Sequence, residues 1–154
     1  MSTYPHFVCD DDVVAIGRGL FDRTLPKSQW THAAHLAAAV WIVTSRPDLD
    51  AAAALPPAIR AYNEATGVAN TETGGYHETI TQASLHAVRA FVEARAGAPL
   101  HALCNALLDS PMGSPDWLLR YWSRPVLFSV AARKGWVDPD IAELPGRDHR
   151  AGSR

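Results

Sequence analysis

With 154 residues, 47% of them hydrophobic and 19% charged, the chain has the length and composition of one compact folded domain, which excludes an intrinsically disordered protein. A net charge of −2 without any lysine or arginine block excludes a nucleic-acid footprint. No apolar run reaches the roughly 18–20 residues of a membrane span, and the N-terminus lacks a signal-peptide layout, so the expectation is a cytoplasmic protein with no membrane partner and two reduced thiols, Cys9 and Cys104.

Hydrophobic periodicity predicts an all-α fold over residues 1–145, a single-domain bundle of four main helices closed by shorter C-terminal helices and an extended strap. Residues 146–154 read as a disordered tail. The first helix is expected from Asp10 to Thr24, with Asp10, Asp11 and Asp12 at its positive end. Its Gly17 and Gly19 weaken it and permit close packing against a neighbour. After a connector ending at Trp30, Thr31 is the N-cap of a second helix that stops before Pro47. A third helix runs from Asp48 or Asp50 to Thr66, with Pro56 and Pro57 expected to kink or split it.

The turn-rich loop 68–75 ends in Gly74-Gly75, and a fourth helix is expected from Tyr76 to Ala96. Helix five spans Pro99 to Asp109, and the segment Ser110-Pro-Met-Gly-Ser-Pro115 interrupts the chain. Short helices are expected at Asp116–Trp122 and Pro125–Lys134, the second capped by Ser123. Beyond Trp136 the chain reads as the strap.

His32 and His35 are the best functional lead. Three residues apart on one helix, both imidazoles share a face of an otherwise apolar stretch, Thr31 to Thr44. Unpaired buried polar groups cost roughly 1–3 kcal/mol each, and a metal ion satisfies two rings at once. On helix four, His77, Thr81, Leu85, Val88 and Val92 trace an apolar stripe, so His77 is expected to point inward as a third ligand. Three neutral imidazoles with an open coordination position match a divalent metal site, zinc foremost, with iron, nickel or copper compatible. The alternative is that each ring hydrogen-bonds a carbonyl or caps its helix.

Carboxylates near these positions supply candidate catalytic groups. Glu64 ends helix three and is a candidate fourth ligand or general base. Glu78 adjoins His77, although it shares a polar stripe with Gln82, His86, Arg89 and Glu93 that faces solvent. Thr81, Tyr62, Asn63, Tyr121 and Arg124 are the candidate substrate-binding residues. Thr81 lies one turn from His77. Tyr62 and Asn63 close helix three. Tyr121 belongs to a C-terminal aromatic cluster beside which Arg124 can hold a carboxylate or pair with Asp116. Cys104 lies among Leu100, Leu103 and Leu107 and reads as a buried structural thiol.

Three segments together, Leu25-Pro-Lys-Ser-Gln-Trp-Thr-His-Ala-Ala-His-Leu36, Gly75-Tyr-His-Glu-Thr-Ile-Thr81 and Tyr121 to Arg133, resemble a group of small, uncharacterised bacterial helical proteins. That resemblance implies a shared fold with His32, His35 and His77 at equivalent points, and no activity. A looser architectural likeness is to DinB-like metal-binding bundles, from which the chain departs in its histidine spacing and its broken C-terminal helices. The expected function is a metal-dependent enzyme, a hydrolase or lyase, acting on a small molecule. The alternative is a non-catalytic small-ligand or metal-binding helical module, with a homodimer compatible with either.

Overall fold

The computed structural model describes residues 7–145, so the expected tail lies outside the described residues. The protein is all-α. Five substantial helices form the body: α1 (Asp10–Asp22), α2 (His32–Ser45), α3 (Ala51–Ala65), α4 (Glu78–Glu93) and α5 (Leu100–Asp109). Two short helices, α6 (Arg124–Leu127) and α7 (Val130–Lys134), follow, and among the described residues there is no strand. No described helix is long and apolar enough to cross a membrane.

Helix α2 is the centre of the molecule. Residues Leu36 to Ile42 are all buried, and α1, α4 and α5 pack around them. A helix apolar on every side must be covered on every side. Thr31 caps it as the sequence predicts, its hydroxyl accepting the Ala34 N–H at 3.2 Å. The glycines of α1 allow the closest approach. The Trp41 ring occupies the place where a Gly17 Cβ would stand.

Three boundaries differ from expectation for identifiable reasons. Helix α3 runs unbroken through Pro56 and Pro57. Pro56 offers no N–H to the Ala52 carbonyl, but Gln82 of α4 donates its side-chain N–H there instead, at 3.0 Å. The segment expected as one helix to Lys134 is two, because Ser129 opens a second N-cap and accepts the Ala132 N–H at 3.1 Å. Helix α4 begins at Glu78, after His77 and not at Tyr76, and ends at Glu93.

The strap is present. Thr79, fully buried on α4, donates to the Gly135 carbonyl at 2.8 Å and accepts the Val137 N–H at 3.1 Å. The Trp122 indole donates to the Val137 carbonyl, the Ser123 N–H meets the Asp140 carboxylate at 2.7 Å, and Leu144 is buried at the far end.

The Gly17–Trp41 contact gives a prediction whose sign is informative. Helix propensity alone favours alanine over glycine by about 1 kcal/mol, whereas overpacking a rigid core costs about 1–3 kcal/mol. Trp41 is held at 5% exposure between α1 and α2. Gly17→Ala is therefore expected to lower stability in a urea melt. Unchanged or higher stability would show that the helices can separate.

Candidate functional site

A cavity of about 400 Å³ lies beside the N-terminal half of α2. On α2 it is lined by the small side chains of Ala38 and Ala39 beside Leu36. Leu55 and Ile59 of α3 and Ile80 and Leu85 of α4 supply apolar wall. Trp117, Leu118 and Leu127 close it from the C-terminal side, and exposed Phe128 stands at the rim. The volume falls within the ~300–1,000 Å³ of small-molecule sites.

The first turn of α2 carries the polar end of this cavity. His32 donates its Nε2 proton to the Met112 carbonyl at 2.7 Å. His35 donates its Nδ1 proton back to the Thr31 carbonyl, also at 2.7 Å. The Trp30 ring stacks on His35 with centroids 3.8 Å apart. Trp30 precedes the N-cap and His35 is the fourth helical residue, which is the arrangement of a hydrophobic staple at a helix start. Tyr62 packs edge-on against Trp30 and anchors its own hydroxyl on the Leu25 carbonyl at 2.8 Å.

His35 is exposed by area, yet protein crowds it and burial drives its pKa down to about 4, with His32 nearby adding to the fall. His35 is among the residues that line the cavity. The crowding governs its chemistry, since a cavity wall solvates a charge less well than bulk water.

His77 does something different. It is buried at the N-cap of α4, where Nδ1 accepts the Ile80 N–H at 3.2 Å and Nε2 donates to the Leu127 carbonyl at 2.7 Å. Burial lowers its pKa as well. Both ring nitrogens are engaged, so no lone pair is left for an ion. Among the described residues, no three His, Cys, Asp or Glu side chains come together to hold a metal. With both His77 nitrogens in hydrogen bonds, the donor set does not fit a three-histidine centre.

The remaining candidates divide between cavity and scaffold. Thr81 lines the cavity, but its hydroxyl proton is committed to the His77 carbonyl at 2.8 Å. Arg124 lines the rim. Tyr121 meets Trp117 edge-on and so supports that wall. Tyr62 is wholly buried core, and Asn63 donates to Asn70 at 3.0 Å to close the following loop. Glu64 is exposed on the surface away from the cavity. Glu78 is half-buried and accepts hydrogen bonds from Tyr76 and Gln82, a local structural role. His86 is not solvent-facing as its stripe suggests; its Nε2 is buried with no hydrogen-bond partner. Cys104 is buried with its thiol pKa pushed up to about 12, as a structural thiol should be.

Sequence reading did not select Trp30, Ser84, Trp117 or Phe128 for the site. Trp30 carried a signal in its staple position ahead of Thr31, and Trp117 and Phe128 in the C-terminal aromatic cluster, whose spacing reads equally as packing. No family model matches the chain, and no curated protein or solved structure matches it.

The depressed His35 pKa sets a pH dependence. The unfolded chain protonates this ring near pH 6.5 and the folded chain only near 4. Between those values the unfolded state binds more protons, so stability falls as pH falls through the window. His77 contributes with the same sign. Urea melts across this range are expected to show that loss, with a shallower slope in His35→Phe. Parallel slopes would mean that His35 is solvated like a surface histidine.

Proposed function

We propose that the protein is a helical module that binds a small, largely apolar molecule in the cavity beside α2. One observation carries this reading: a cavity of about 400 Å³ walled by aliphatic and aromatic side chains, with a stacked histidine at its end. Concave, mostly apolar sites with a few placed polar groups are the usual form of small-ligand sites. The cavity opens to solvent at exposed Asp116, Arg124 and Phe128, so a small molecule can enter it.

The metal-dependent enzyme reading receives less support. His77 has its two nitrogens in hydrogen bonds, and neither Glu64 nor Glu78 lines the cavity. Binding without chemistry needs none of these groups.

The test uses 4-ethylanisole, an apolar aromatic probe, followed by fluorescence of the cavity tryptophans Trp30 and Trp117. Wild-type protein is expected to bind one molecule per chain. Ser84 is a half-buried cavity residue on α4. Ser84→Phe should fill the space and weaken binding about tenfold or more while the protein melts at or above the wild-type temperature. A folded Ser84→Phe protein that binds as well as wild type would place the probe elsewhere and end the proposal.

A further inference from the structure

His35 lines the cavity and has one ring nitrogen, Nε2, outside its described hydrogen bond, and the character of that atom restricts what can occupy the space. His35 is pinned on two sides, its Nδ1 proton on the Thr31 carbonyl at 2.7 Å and its ring face on Trp30. With the proton on Nδ1, Nε2 at the opposite edge carries a lone pair and can only accept. Rotating the ring would break the Thr31 bond, so the tautomer is fixed by the backbone. Lining aliphatics such as Leu36, Ile59 and Leu85 offer it no donor. The Thr81 proton is already directed to the His77 carbonyl.

Charge at the mouth points the same way. Arg124 and Asp116 both line the cavity, and Arg124 lies close enough to help hold the Asp116 carboxyl below the usual range, after its main cause, the Ser114 hydroxyl. Opposite charges facing one opening leave no net seat for an ion. Trp30 and Trp117 place two aromatic rings on the walls, suited to a flat partner.

We infer that the cavity selects a neutral aromatic molecule with an O–H or N–H donor, of the phenol or indole class, its donor bonded to His35 Nε2. The inference rests on the ligand-binding reading and specifies its chemistry. Burial keeps His35 from protonating until about pH 4, so the acceptor persists at neutral pH. Trp30 and Tyr62 act as positioning residues, holding the imidazole plane from behind.

The experiment compares 4-ethylphenol, 4-ethylanisole and 4-ethylbenzoate by calorimetry near neutral pH, where the phenol is un-ionised. The three share a body and differ in donor, no donor and negative charge. The phenol is expected to bind about tenfold more tightly than the anisole, the worth of one good hydrogen bond. In His35→Phe that ratio should fall to about one while anisole binding persists. Thr81→Val and Ser84→Ala, which remove the two hydroxyls that line the cavity, should each leave the ratio intact. The wild-type ratio decides the matter alone if His35→Phe does not fold. Equal binding of phenol and anisole overturns the donor inference and leaves the apolar-ligand reading standing. Preference for the benzoate, lost in Arg124→Gln, overturns it in favour of anion recognition. Failure of all three probes removes both readings.

Discussion

Everything in this fold answers to the burial of α2. A helix with no charged side chain, flanked by threonines and lined with alanine, has no face it can leave in water, so α1, α4 and α5 must enclose it. The enclosure is tight where a glycine of α1 meets it, as at Gly17 and Trp41, and leaves a cavity on the side that carries Ala38 and Ala39. The cavity is the loose side of the same helix. Its two histidines are the only polar side chains between the capping threonine and Thr44, and each has a carbonyl partner. Once those bonds are made, one ring nitrogen of His35, a residue that lines the cavity, remains as an acceptor.

A second theme is the use of side chains to repair backbone hydrogen bonding. His77 caps α4 and ties it to Leu127, Gln82 replaces the donor that Pro56 lacks, and Thr79 links α4 to the strap at two points. These contacts join segments far apart in sequence. Buried polar atoms with partners stabilise modestly, whereas orphaned ones cost more, so such pairs fix arrangement more than they add energy. They also hold the C-terminal wall of the cavity against α4.

Local signals were readable where the physics is local. Thr31 and Asp50 act as caps, the α4 stripe faces inward at Leu85 and Val88, and the strap follows Trp136. Signals failed where a distant group decides the outcome. Pro56-Pro57 predicts a break unless one knows that Gln82 reaches Ala52. His77 was rightly placed inside, but a stripe does not distinguish its first helical residue from the N-cap before it. That single step changes a prospective ligand into a capping group with both nitrogens used. The cavity was illegible for a related reason. It depends on the gap between α2 and a C-terminal segment some eighty residues later, and no periodicity encodes a gap.

The central claim is that His35 presents an unprotonated Nε2 to a ligand cavity. Long-range ¹H–¹⁵N spectra of the histidine rings test it most directly. The account predicts an Nδ1–H tautomer for His35, neutral at pH well below 6.5, with an Nε2 resonance that moves towards the hydrogen-bonded position when 4-ethylphenol is added. An Nε2–H tautomer, or an Nε2 resonance that ignores the phenol while it binds, would contradict it.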